Sequence, residues 1–214
     1  MEFLYLRPAA EGDREILFHW RNDPVVRHNS FHQEPVAWED HARWFARLME
    51  DPQARQYILM AESTLDPEIV NCQETADSIR VPESGDLLET APAARDPGTK
   101  EFTPAVVPVG QIRLNACGDD PSAYEISYSV AAEARGKGYG RRMLQMIKEQ
   151  APKDLPRLHT LIGRVKKDNP ASIAAFRSAG YDPEKTQPCY VFRYLIPSAA
   201  SAKPCDENSR EGSL

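Results

Sequence analysis

The stretch that decides the fold is Ala123–Glu149, AYEISYSVAAEARGKGYGRRMLQMIKE. Ala123–Val130 reads as a strand, and a short loop leads to Arg135-Gly136-Lys137-Gly138-Tyr139-Gly140. A helix follows at once, from about Gly138 to Gln150. Glycines let the chain turn tightly and let main-chain N–H groups approach an anion. The positive end of the helix dipole lies behind them. Arg135 and Lys137 add positive charge, and the sum is a phosphate cradle. A Walker P-loop needs four residues between its glycines and then Gly-Lys-Ser/Thr, which is absent. A dinucleotide fingerprint needs G-x-G-x-x-G and an acid at the end of the next strand. Here the glycines are spaced G-x-G-x-G, and the next strand ends Gly163-Arg164-Val165.

Outward from this stretch the chain reads as mixed α/β. Strands are expected at Glu2–Arg7, Gln56–Ala61, Val109–Ala116, Leu158–Val165 and Cys189–Ile196. Helices are expected at Asp13–Trp20 and at Pro170–Ala179, the latter stopped by Gly180. Trp38, His41, Phe45 and Leu48 mark another, with Pro24 ending or bending the first.

The 214 residues allow one domain or two small ones. No run approaches the length of a transmembrane helix. Met1–Glu15 lacks a basic region followed by an apolar one, so a cytoplasmic protein is expected. Cys72, Cys117, Cys189 and Cys205 are widely spaced, which predicts free thiols rather than a disulfide framework or zinc ribbon. The net charge of −6 is local in origin. Residues 62–108 hold ten acids and three bases, so the remainder carries +1. That segment also holds six of the eighteen prolines and reads as a disordered insertion, with a short helix possible at Asp66–Ser78. The tail 197–214 reads the same way. The expected organisation is one domain over 1–196, interrupted at 62–108. No basic stripe points to nucleic acid.

The loop resembles the pyrophosphate loop of the GNAT acyltransferases, Arg/Gln-x-x-Gly-x-Gly/Ala, at Arg135, Gly138 and Gly140. About thirty residues on, Val165-Lys166-Lys167-Asp168-Asn169-Pro170 with Phe176 and Gly180-Tyr181 resembles that family's second motif. The element order is similar too. The resemblance implies an α+β GNAT fold: a mixed, mostly antiparallel sheet, flanked by helices and splayed between its fourth and fifth strands. Trp20-Arg21-Asn22-Asp23-Pro24-Val25-Val26-Arg27, Ser30-Phe31 and Trp38-Glu39-Asp40-His41 resemble a narrower branch. That branch acetylates amino groups on nucleotide-linked sugars, as in the pseudaminic acid pathway, and its wider relatives acetylate N-termini of ribosomal proteins.

The resemblance implies that acetyl-CoA lies in the splay, with no metal. Pantetheine would meet the main chain near Ser129 and Val130, and the pyrophosphate would meet Arg135, Gly136, Lys137, Gly138, Tyr139 and Gly140. A main-chain N–H near Val130 is the expected oxyanion donor. Asn169 would bind CoA, cap the next helix, or do both. Glu125 is the candidate base and His41 its rival, although His41 lies on the apolar period of its helix. His19 and His28 are weaker candidates. The family's usual acid, a tyrosine seven residues after the asparagine, is Phe176 here, which leaves water, Tyr128 or Tyr181. Arg21, Asn22, Arg27, Ser30 and His41 are expected on the acceptor side, where arginines suit a diphosphate or serve as surface ion pairs. Trp20 and Trp44 read as core anchors. The expected function is acetyl transfer to the amine of a nucleotide-linked amino sugar. Alternatives are a protein N-terminal or small-molecule amine acetyltransferase, or a non-catalytic CoA-binding module. A monomer or homodimer is expected.

Overall fold

The computed structural model describes residues 2–63, 105–118 and 120–197. The expected helix at 66–78, most of the insertion, and the tail beyond Pro197 lie outside them, as do Cys72 and Cys205. Cys117 and Cys189 are free thiols. The chain forms two compact units, residues 1–4 with 61–107 and residues 5–60 with 108–214. In the first, the described residues are strand ends, and Phe3, Val106 and Val107 are exposed. The second carries every described helix and every residue of the site described below.

Seven strands form one sheet in the order β1-β2-β3-β4-β5-β7-β6. They are β1 Glu2–Pro8, β2 Ala54–Ser63, β3 Ala105–Cys117, β4 Asp120–Val130, β5 Thr160–Lys166, β6 Asp182–Lys185 and β7 Cys189–Leu195. The helices are α1 Arg14–Asn22, α2 Pro24–Asn29, α3 Trp38–Glu50, α4 Tyr139–Asp154 and α5 Pro170–Ser178. Strands β2 and β3 take Glu62, Ser63 and Ala105–Pro108 from the stretch expected to be insertion.

Two elements were not expected. Pro24 starts α2 rather than merely ending α1, because proline at the first helical position loses no hydrogen bond. Asp23 completes that start by accepting from the N–H groups of Val25 and Val26, both at 2.9 Å. Strand β6 has no apolar alternation to announce it. It pairs antiparallel with β7 and forms the end of the strand order, where Pro183 is tolerated.

The pairing of β4 positions the site. On one side it runs antiparallel to β3, from Gly110↔Val130 to Ala116↔Tyr124. On the other it pairs parallel with β5 only over Ala123↔Thr160 to Ile126↔Gly163. Beyond Ile126 the two strands have no further register, although β4 continues to Val130. On its other edge β5 pairs with β7 along its whole length, from Thr160↔Leu195 to Lys166↔Cys189. The sheet therefore opens between its fourth and fifth strands.

Packing holds the opening in shape. Met143, Leu144, Ile147 and Ala151 give α4 a fully buried stripe. Phe176 of α5 is stacked on Phe192 at 5.0 Å and meets Tyr181 edge-on at 5.1 Å. Gly163 makes room for it, since a Cβ there would lie 2.2 Å from the Phe176 ring. Truncating an aromatic residue so packed costs about 3–5 kcal/mol.

Candidate active site

A cleft of about 1220 Å³ runs from the glycine-rich loop past the opened end of β4 to α1 and α2. At the loop end, Gly136 and Gly138 have φ of 78° and 79°, left-handed values that favour glycine. Nothing stands within 4 Å of a Cβ built at either position, so the space over them is open. The first α4 bond runs from Arg142 N–H to Gly138 C=O at 3.1 Å, so the N–H groups of Gly140 and Arg141 precede the helical ladder. These features suit a pyrophosphate. Lys137 is exposed, whereas the Tyr139 side chain is buried, so any contribution by Tyr139 to that site comes through its main chain.

The Arg135 guanidinium does not stand free over the loop as the sequence suggested. Its Nη2 bonds Asp23 Oδ1 at 2.6 Å and its Nε donates to the Val130 carbonyl at 3.3 Å. The loop is thereby tied to the residue that caps α2.

At the centre, β4 presents two faces. Glu125, Ser127 and Ser129 share one by the alternation of a strand. Their partners on β3 are Asn115, Arg113 and Gln111, all of which line the cleft. Gln56 donates to Gln111 Oε1 at 2.7 Å, and Gln111 donates to Ser129 Oγ at 3.1 Å, so the buried Ser129 hydroxyl is already engaged. Glu125 is partly exposed, with Arg164 Nε 3.7 Å from its Oε2. Val130 lines the cleft, and β5 offers no partner to this end of β4.

The other face carries Tyr128, whose hydroxyl donates to Ser172 Oγ on α5 at 3.0 Å. Burial pushes its phenol up. Gly140 faces it closely, since a Cβ there would lie 3.1 Å from its ring. Tyr181 donates to the Leu144 carbonyl at 3.1 Å and is 2% exposed, so it has no route to the cleft. Phe176 forms wall rather than contact surface, at 2% exposure. Asn169 caps α5 by accepting from Ser172 N–H at 3.1 Å, which occupies its Oδ1.

At the acceptor end two expectations need correction. Asn22 is absent from the cleft lining and latches the chain after α2: its Nδ2 donates to the Val36 carbonyl at 3.0 Å and its Oδ1 accepts from Val36 N–H at 2.8 Å. His41 is 1% exposed, with Nε2 donating to the Arg14 carbonyl at 2.8 Å, and aromatic rings of Phe18, Trp38, Trp44 and Phe45 surround it. Burial holds its imidazole below the ordinary range. It packs the cleft floor and is not placed to move protons. Ser30 lines the cleft, with its hydroxyl donating to the Val26 carbonyl at 2.7 Å. Arg21 lines it too and holds the His32 carbonyl through Nη2 at 3.0 Å, while its Nη1 is buried without a partner. The Nε atoms of Arg27 and Arg113 are likewise buried and unpartnered. His19 and His28 are absent from the lining, and His19 sits 3.7 Å from Glu15.

The sequence reading missed Arg113, Asn115, Arg164 and Ser172. The signal was present for the first two: Gln111, Arg113 and Asn115 alternate with Ile112 and Leu114 and so share a face.

A sheet that opens beside an amide-rich helix start, with a carboxylate at the apex, is the architecture of an acyltransferase that holds acetyl-CoA. The chain belongs to the GNAT acetyltransferase family: its residues 4–182 match the family described as Acetyltransferase (GNAT) domain. It is an acetyl-CoA-dependent N-acetyltransferase. No curated protein matches it by sequence. Solved structures share the fold. A domain from Methanocaldococcus jannaschii superposes with a TM-score of 0.61 at 17% identity, covering 92% of this chain and 100% of that one. The aminoglycoside acetyltransferase AAC(6')-Ib, in complex with paromomycin and acetyl-CoA, gives 0.59 at 15%, covering 90% and 93%. Spermidine N-acetyltransferase from Vibrio cholerae, in complex with CoA and spermine, gives 0.59 at 16%, covering 90% and 95%. No described helix is long and apolar enough to cross a membrane.

Proposed function

We propose that this N-acetyltransferase acts on the amino group of a nucleotide-linked amino sugar, with Glu125 as the base. The observation that carries the reading is the single cleft joining the glycine loop, the opened edge of β4, Glu125 and the unpaired Nη1 of Arg21. Acetyl-CoA supplies an activated thioester. Gly136–Gly140 would hold its pyrophosphate, and the unpaired edge near Val130 would hold the pantetheine and the carbonyl oxygen. Holding both reactants in one cleft removes much of the entropic barrier to their meeting.

An ammonium must lose a proton before it attacks, and Glu125 is the cleft carboxylate on the face shared with Ser127 and Ser129. Its proton transfer is direct or through one water. On the opposite face, the Tyr128 hydroxyl, which lines the cleft, would protonate the departing sulfur in place of a tyrosine at position 176. Arginine on the acceptor side favours a diphosphate over a bare amine.

A thiol-release assay tests the reading, with acetyl-CoA and a panel of UDP-linked amino sugars, aminoglycosides, polyamines and N-terminal peptides. Selective turnover of the UDP-sugars is expected. Selective turnover of another class would replace the acceptor, and silence with calorimetric binding of acetyl-CoA would favour a non-catalytic CoA binder.

A further inference from the structure

We infer that the acceptor end of the cleft contains a dedicated oxyanion subsite built by Arg21 and Arg113, with Arg27 behind them. The inference rests on the acetyl-transfer reading for its place in catalysis, and it adds the residues that would hold the acceptor's anionic group. Three arginines from three elements, α1, α2 and β3, each bury a guanidinium nitrogen that has no hydrogen-bond partner. Buried polar donors are nearly always satisfied, so three unpaired ones in one neighbourhood mark the place of a missing acceptor. Arg21 and Arg113 both line the cleft, whereas Arg27 borders it through its helix neighbours Val26 and Asn29.

The charge of Arg27 acts on Arg21, and that of Arg21 acts on Arg113. Burial, and then the charge of Arg27, lowers the proton affinity of Arg21. Burial, and then the charge of Arg21, does the same to Arg113. Trp44 lies under the Arg113 guanidinium, with its centre 5.0 Å from the ring, and fixes it from below. Glu125 is the nearby carboxylate, but it faces Arg164 at 3.7 Å and leaves the Arg113 Nε unpaired. Like charges gathered in a partly buried wall are held apart from an anion only at a penalty, and an oxyanion relieves it. The chemistry that fits is a phosphate, diphosphate or carboxylate carried by the amine substrate. A polycation such as spermine or an aminoglycoside would meet repulsion there.

The test is calorimetry on the CoA-saturated protein, so that the glycine loop is filled. The titrants are UDP, glutarate and spermine. Binding of UDP or glutarate is expected, weakened about tenfold or more by Arg113→Met and by Arg27→Gln, and partly rescued by Arg113→Lys. UDP binding ahead of glutarate assigns a phosphate, and the reverse assigns a carboxylate. The Arg27→Gln variant keeps the test open if Arg113→Met does not fold. Absence of oxyanion binding at millimolar concentration, binding unchanged in the folded variants, or preference for spermine would overturn the subsite. Oxyanion binding without turnover of any amine would leave the subsite standing and sink the acetyl-transfer assignment for its acceptor. Turnover of a cationic amine without oxyanion binding would do the opposite.

Discussion

Glu125 and Tyr128 project from opposite faces of one strand, three residues apart, at the place where that strand loses its neighbour. In the proposed mechanism Glu125 serves the incoming amine and Tyr128 the outgoing sulfur. Glu125→Gln keeps the shape and removes the proposed base. Steady-state kinetics should show kcat lower by about a hundredfold, the lower end for general-base catalysis, with KM for acetyl-CoA little changed. An unchanged kcat would dismiss Glu125 as the base. Tyr128→Phe removes the hydroxyl that meets Ser172. It should destabilise by about 1 kcal/mol through the lost hydrogen bond, read from chemical denaturation. It should also lower kcat by more than that loss explains, and equal kcat would move the proton to water. Glycine spacing made the cofactor loop readable from sequence. Which tyrosine lines the cleft was not readable, because the sequence cannot say that Tyr181 turns inward to Leu144 while Tyr128 turns to α5.

At the scale of elements, the entry to α1 is pinned by charge. Arg7 on β1 grips Asp13 with two bonds, 2.6 and 2.7 Å, and Ala10 N–H adds a third at 2.8 Å. The Arg7 hydrogen bonds hold the Asp13 carboxyl below its ordinary value of 3.8. A depressed folded value contributes stability that is full above the unfolded value and lost as pH falls through the folded one. Calorimetric Tm should therefore fall on acidification below about pH 4, and Asp13→Asn should flatten that fall. An equally steep fall in the variant would place the acid sensitivity elsewhere. Neither this clasp nor α2 was legible in the sequence. Both depend on which side chain reaches which main-chain group, and Pro24 looked like a stop because Asp23's capping role shows only in three dimensions. The strongly periodic elements, β4, α3 and α4, were legible because burial on one face forces the repeat.

For the whole molecule, every described helix and the stretch where the sheet opens fall within residues 5–60 and 108–197, 146 residues of the 214. The segment between Ser63 and Pro104 is acidic and proline-rich. We propose that it is an insertion in a single domain. Removing Thr64–Thr103 and closing the gap with a short glycine-serine linker should leave Tm within a few degrees. A large drop would show that the segment packs on the domain. Composition sets that boundary at 62 and 108, whereas strands β2 and β3 take Glu62 and Ser63 on one side and Ala105–Pro108 on the other. Net charge hid the acceptor wall, because the acidity of this segment outweighs the clustered arginines in any sum over the chain.

The bond between Arg135 and Asp23 ties one end of the cleft to the other. One partner belongs to the loop that would receive pyrophosphate, and the other caps the helix that carries Arg27. We propose that this ion pair couples the two ligands, and reciprocity then requires each to alter the other's affinity by the same factor. Asp23→Asn should move that factor toward unity, which paired calorimetric titrations with and without CoA would measure. A factor unaltered by the substitution would mean that the two ends of the cleft communicate through the sheet.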